Sequence, residues 1–398
     1  MTSYRSHGEV PRKRHTQLWR DGRLLTEEVV GLDGFRGPSA TLYHLHSPMR
    51  LLRVGAFRPI LRDAWVPEVH VHHRFDSLPL EPGGDALSAR RLLVWNEDVE
   101  VSLARPDRAM ERFFRNGEGD ELIFVHEGTG VVDTILGELS YRQGDYVVIP
   151  RGITYRFRPD PGPQRHLVIT SPGMIEVPDR YRNGIGQLLE HAPYHHRDLH
   201  GPRAVDARDE TGEFLVTVRV RDGEQDYLVP THPFDVVAWD GYLYPYTLNV
   251  DDLEPIAKQV HAPPSVHETF SGQGFVVASF VPRPLDWHVD AVPIPYNHAN
   301  LNSEELIYYV DGDFTSRRGI DVASLTLHPT GLTHGPQPGL AEASLGATRT
   351  EETAVMLDTF RPLCLSAFAH DLDDPTYPWS WSETGAVAGA ADDPVPPR

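Results

Sequence analysis

Thiol chemistry is almost missing from this chain. One cysteine, Cys364, stands among 398 residues, which rules out an intrachain disulfide and any zinc site built on several cysteines. Its surroundings, RPLCLSAFAH, are apolar, so Cys364 is expected to be packed rather than reactive. Long hydrophobic runs are missing too. No window approaches the roughly 18 apolar residues of a membrane span, and the basic opening MTSYRSHGEVPRKRHTQLWRDG is not followed by the apolar stretch of a secretion signal. A cytoplasmic location without a membrane partner is the expectation. Basic residues are outnumbered, 37 Lys and Arg against 57 Asp and Glu, for a formal net charge of −20. A surface of that sign repels a phosphate backbone, so nucleic acid is not an expected partner. Helix signals are few: DDLEPIAKQV (251–260) offers two turns, capped by Asp251 or Asp252.

What is present in quantity is turn chemistry and histidine: 35 Pro, 33 Gly and 21 His. LLRVGAF, RRLLVWNEDVEVSLARP and GEFLVTVRVRDGEQDYLVP alternate apolar and polar residues, the period of half-buried strands. RDGEQ lies between two such runs and reads as a hairpin turn. The expected fold is mostly β with few short helices.

Two segments share one plan. NGEGDELIFVHEGTGVVDTILGELSYRQGDYVVIPRGITYRF (116–157) and YNHANLNSEELIYYVDGDFTSRRGIDVASLTLHPTGLTHG (296–335) each begin with a polar entry and continue through an acidic-aliphatic run to a glycine-closed hairpin. Each ends in P-x-G-x-x-(Tyr or His): Pro150 to Tyr155 in the first, Pro329 to His334 in the second. An internal repeat about 180 residues apart points to two related barrels. The pattern resembles the cupin superfamily, small jelly-roll barrels carrying G-x5-H-x-H-x3/4-E-x6-G and G-x5-P-x-G-x2-H. In the second segment His298 and Asn300 fall on H-x-H, Glu304 follows after three residues, Gly312 after seven more, and His334 closes the second motif. The first segment has Tyr155 at the histidine position, with Asn116 and Glu118 near H-x-H, so it keeps the scaffold without the ligands. The expected organisation is an N-terminal cupin-like domain over 1–190 without metal ligands, a C-terminal metal-binding cupin domain over 191–385, and a flexible tail over 386–398.

Alternation along a strand sends His298 and Asn300 the same way, into the barrel, with Glu304 and His334 arriving from neighbouring strands. Two imidazoles and one carboxylate on one side of an ion leave its other positions open, the facial triad of non-haem Fe(II) oxygenases. Nitrogen and oxygen donors suit Fe(II) and leave Mn, Co and Ni open. A competing cluster, EVHVHHRFD, puts His70 and His72 on one strand face and His73 on the other, but no Glu or His follows at cupin spacing. It reads as an exposed edge or interface strand. His195, His196 and His200 lie in a Pro-rich linker and read as surface or subunit contacts. His328, six residues before His334, reads as an inward side chain beside the ligands. His261, between prolines in KQVHAPPSVHETF, is not singled out by spacing alone.

Four stretches match something more specific: PFDVVAWDGYLYPYTLNV (233–250), HAPPS (261–265), YNHANLNSEE (296–305) and LHPTGLTHGP (327–336). The region from about 195 to 340 resembles the homogentisate 1,2-dioxygenase family; the N-terminal barrel matches loosely, in EGDELIF. The resemblance implies an Fe(II) cofactor on His298, Glu304 and His334, a catalytic base at His261, and His328, Tyr309, Phe314 and His334 beside the substrate. It implies opening of a 1,4-dihydroxyaryl acetate by O2, between the hydroxyl-bearing and acetate-bearing carbons, in tyrosine and phenylalanine breakdown. It also implies a homo-oligomer, a trimer or pair of trimers. One departure bears on the substrate: the family's tyrosine shortly after the first-motif glycine is replaced here by Phe314. Alternatives are a cupin dioxygenase for gentisate or another hydroquinone, a non-catalytic metal- or ligand-binding bicupin, and a cupin isomerase or sugar-binding barrel. Arg317, Arg318 and nearby tyrosines are candidates for holding an anionic substrate, which spacing does not settle.

Overall fold

The alternating runs become strands. A computed structural model describes residues 3–256, 267–285, 288–314 and 317–382; His261 and the expected tail lie outside the described residues. The two described α-helices are short, Leu340–Ser344 and Ala367–Leu372, so the mostly β expectation holds. The turn read from RDGEQ joins strands Thr211–Val220 and Gly223–Thr231, with Arg221 and Asp222 both at φ 53°. Two consecutive left-handed residues are what a tight hairpin between right-twisted strands requires. DDLEPIAKQV gives only a 3-10 turn over Val250–Asp252, among its described residues. Its cap is Asn249, whose side chain accepts from the Asp251 N–H.

The chain divides into two compact units, and not near residue 190. The first comprises 1–63, 81–254 and 270–273; the second comprises 64–80, 255–269 and 274–398. The stretch 233–250 therefore folds with the first unit, and the histidine-rich stretch 68–76 with the second.

In the first unit the strands Tyr246–Asn249, Asp145–Ile149, Asp120–Glu127, Arg165–Ser171, Glu100–Ala104 and Arg91–Trp95 lie side by side. A second sheet runs Gly137–Tyr141, Gly130–Thr134, Thr154–Pro159, Phe113–Asn116, Thr211–Val220, Gly223–Thr231 and Arg53–Pro59. Side chains of the two meet: Phe157 lies 6.1 Å from His166 and Tyr155 reaches Glu121. Leu122, Phe124, Tyr146, Val148, Phe157 and Leu167 are buried, each worth about 1.5–3 kcal/mol of apolar transfer where it is a large side chain.

In the second unit the order is Phe275–Phe280, Thr353–Thr359, Glu304–Asp311, Ser324–His328 and His73–Asp76. The last strand comes from far upstream in sequence and pairs Phe75 with Leu325 and His73 with Leu327. One face of this sheet carries Ala278, Ile307, Tyr309, Ala354 and Met356, with Phe280, Phe314 and Ile320 packed against them. Gly312 ends the long strand at φ 93°, where a Cβ would run into the backbone of Glu351. Gly128, at φ 105°, ends the matching strand of the first unit. Only glycine adopts such a turn without strain at this closeness.

Candidate metal centre

Strand Glu304–Asp311 decides which carboxylate enters the barrel. Side chains alternate along it, so Glu305, Ile307 and Tyr309 share one face and Glu304, Leu306 and Tyr308 the other. Glu305 stands opposite His328 on one neighbouring strand and Asp358 on the other. The loops flanking the strands are tied by a backbone bridge in which His298 and His334 exchange N–H to O bonds of 2.8 and 2.9 Å. That bridge holds the two imidazole rings 4.4 Å apart. Ligand atoms of His298, Glu305 and His334 then lie within 4.8 Å of one another.

The tautomers follow from the partners. His298 Nδ1 lies 3.0 Å from the Tyr296 carbonyl, which can only accept, so Nδ1 carries the hydrogen and Nε2 presents a lone pair. His334 Nδ1 approaches the Leu332 carbonyl at 3.4 Å in the same sense. The two Nε2 atoms face Glu305 at 3.8 and 3.6 Å, and His334 Nε2 is buried without a hydrogen-bond partner. Two lone pairs turned toward a buried carboxylate need a cation between them. An ion with bonds of about 2.1 Å holds donors roughly 3.0–3.4 Å apart, a few tenths of an ångström inside these separations. The donor set therefore fits a divalent first-row metal with nitrogen and oxygen ligands.

Glu304 is not part of this set. Its carboxylate accepts from the Leu363 N–H at 2.7 Å and faces the Thr330 N–H, on the other side of the strand. Glu305 replaces it by strand parity. The signal was in the motif: six residues separate Glu305 from Gly312, the spacing E-x6-G asks for, whereas Glu304 is one too far. Asn300, expected beside His298, is exposed.

Neighbours tune Glu305. Burial would raise its pKa, but the three imidazoles facing it, of His298, His328 and His334, outweigh that and hold it well below the usual carboxylate range. His328 is buried, its Nδ1 2.7 Å from Glu305 and its Nε2 3.3 Å from the Tyr377 hydroxyl. Burial drops its pKa to about 3 against the pull of Glu305, so it is neutral, donates from Nδ1 and accepts at Nε2. Its ring stacks on His334 at 4.5 Å and 15°. Asp358 is pushed up to about 8 by burial and by the charge of Glu305.

Of the other expected substrate neighbours, Tyr309 lies on the Glu305 face four residues along, about 13 Å at Cα for an extended strand. Its hydroxyl pairs with Thr326 at 3.1 Å, and Phe314 packs edge-on against its ring at 4.7 Å. Sequence reasoning missed His72. It is not on an exposed edge: its ring lies 5.3 Å from His328, 6.2 Å from His334 and 5.2 Å from Trp381. Its Nδ1 is buried without a hydrogen-bond partner, and burial lowers its pKa to about 4. His70 Nε2 meets the Thr330 carbonyl at 2.9 Å, and buried His73 pairs with Asp373 at 3.1 Å. His195, His196 and His200 belong to the first unit, where the Leu188 N–H donates to His196 Nε2. Cys364, expected to be packed, is exposed.

Comparison with known proteins settles the family. The model for the N-terminal part of homogentisate 1,2-dioxygenase matches residues 95–250. "Putative dioxygenase SSO1533" of Saccharolobus solfataricus is 42% identical over 384 residues, 96% of this chain and 99% of that protein. The chain belongs to the homogentisate dioxygenase family. It is a dioxygenase of that family, similar also to homogentisate 1,2-dioxygenase of Emericella nidulans at 27% identity, over 69% of this chain and 65% of that one. Among solved structures, a cupin 2 conserved barrel domain protein from Leptotrichia buccalis aligns at TM-score 0.34 and 10% identity, over 74% of this chain and 99% of that one. An oxalate decarboxylase variant from Bacillus subtilis aligns at TM-score 0.34 and 12% identity, over 76% and 82%. In this member of the homogentisate dioxygenase family, no helix of the described residues is long and apolar enough to cross a membrane.

Proposed function

We propose that this chain is an Fe(II)-dependent ring-cleaving dioxygenase that converts homogentisate and O2 to maleylacetoacetate in tyrosine and phenylalanine catabolism. Both oxygen atoms enter the product, so no reductant is consumed. The observation that carries the reading is the set His298, Glu305 and His334, whose ligand atoms all lie within 4.8 Å of one another, in a chain of this family. A ferrous ion held by those three residues would supply neighbouring open positions for O2 and a phenolate, making their meeting effectively intramolecular.

The chain's own residues do the rest. Tyr296 and Leu332 carbonyls keep the two imidazoles in the tautomer that presents Nε2. His328 Nδ1–H holds one Glu305 oxygen, and Tyr377 fixes the far side of the His328 ring. The rings of His72 and Trp381 pack together beside His334 and His328. His261 is assigned the phenol proton, on the family resemblance.

Metal-loaded protein is expected to consume one O2 per homogentisate and to form a ring-opened, strongly absorbing product. Turnover of gentisate or another hydroquinone but not homogentisate would move the substrate and keep the chemistry. Phe314, where the family carries tyrosine, favours testing that second reading.

A further inference from the structure

The proposed substrate is an aromatic acid, and its carboxylate needs a partner inside the second unit. Arg317 and Arg318 are adjacent in sequence but differ in place. The Arg318 backbone N–H donates to the Gln337 side chain. Arg317 Nη1 donates to the carbonyl of Gly335, the residue after His334. Its Cζ lies 5.5 Å over the ring of Trp381, whose Nε1–H donates to the same carbonyl at 3.2 Å. Trp381 lies 5.2 Å from Tyr377, 5.2 Å from His72 and 6.4 Å from His328. The guanidinium is therefore layered on the aromatic wall of the metal centre and fixed beside one of its ligands.

We infer that Arg317, stacked on Trp381, forms the subsite that takes the substrate's carboxylate, which rests on the proposed reading of the substrate as an aromatic acid. A guanidinium offers five donors in a planar fork that matches a carboxylate with two parallel bonds. Stacking and the Gly335 bond fix that fork before a ligand arrives, which lowers the ordering cost of binding. Its positive charge sets a field at that wall, over Trp381 and beside the carbonyl that follows His334. A carboxylate entering this field meets attraction in a low-dielectric setting, where it is far stronger than in water.

The test uses binding, not turnover. Phenylacetate and its neutral isostere phenylacetamide are titrated calorimetrically into the metal-loaded protein. The wild type is expected to prefer the acid at least about tenfold, and Arg317→Gln to bind the two alike. Arg317→Lys keeps the charge but loses the fork and is expected to lose about threefold or more of the preference; it decides the matter should Arg317→Gln not fold. Retained preference in either variant, or no preference in the wild type, overturns the assignment. Because no ring is opened, failure to cleave homogentisate leaves this result standing. Loss of homogentisate as substrate would fall on the proposed function alone.

Discussion

Glu121 and Glu305 hold the same position in their two repeats, and different cations answer them. Six residues separate each from its hairpin glycine, Gly128 or Gly312. Glu305 faces two imidazole lone pairs. Glu121 meets Arg90 Nη1 at 2.6 Å, the Tyr155 hydroxyl at 2.5 Å and Asn116 Nδ2 at 3.3 Å. Glu121, Tyr155 and Phe114, which pairs with Tyr155 as His298 pairs with His334, occupy the repeat's ligand positions, and a guanidinium bonds Glu121 and Tyr155 where the second repeat would place an ion. Burial disfavours the charge of Glu121, but Arg90 more than offsets it and lowers its pKa.

Arg90→Met therefore strands a buried carboxylate. Removing one partner of such a pair costs about 3–5 kcal/mol, so denaturant unfolding of this variant is expected to show a loss of that size. The double variant Arg90→Met with Glu121→Gln is expected to recover most of it. Equal stability of single and double variants would contradict the pairing. Metal content per chain should not change in either.

His328 is expected to act through Glu305. His328→Phe leaves a Glu305 oxygen without its donor and Tyr377 without its acceptor, and loss of such a ligand-orienting bond typically costs 10–100-fold in metal affinity. Competition with a chelator measures it. Affinity within about twofold of wild type would show that the bond at 2.7 Å does not orient the ligand.

Much of this was legible in the sequence, at the level of period. Alternation gave the strands, and the paired glycine and P-x-G-x-x signals gave the repeat, because both are demands of the backbone itself. His298 and His334 were readable from motif spacing. Choosing between adjacent Glu304 and Glu305 was a question of strand parity, where one residue moves a side chain to the opposite face. His72 was unreadable for another reason: the strand that follows it, His73–Asp76, joins the second unit across more than 240 residues, pairing with Ser324–His328. Nothing local in EVHVHHRFD announces that partner. The boundary near 190 failed similarly, since strands of 211–249 add to the first unit's sheets.

A pH dependence of stability is expected from the first unit. His44 is buried between Asp235, 2.8 Å from Nδ1, and Glu28, 2.9 Å from Nε2. Burial opposes its charge, but the two carboxylates win and raise its pKa to about 9 from 6.5. A raised folded pKa stabilises fully below the unfolded value of 6.5 and is lost as pH rises through about 9. The contribution is on the order of 3 kcal/mol. His44→Gln should thus lower stability more at about pH 6 than at about pH 10. An equal loss at both would contradict a charged His44.

The claim on which the account turns is that Glu305, and not its neighbour Glu304, completes the metal centre with His298 and His334. Iron content by atomic emission, measured on wild type, Glu305→Gln and Glu304→Gln after identical Fe(II) loading, tests it most directly. The expected result is near one iron per chain for wild type and Glu304→Gln, and less than about a tenth for Glu305→Gln. Full iron in Glu305→Gln together with its loss in Glu304→Gln would contradict the account.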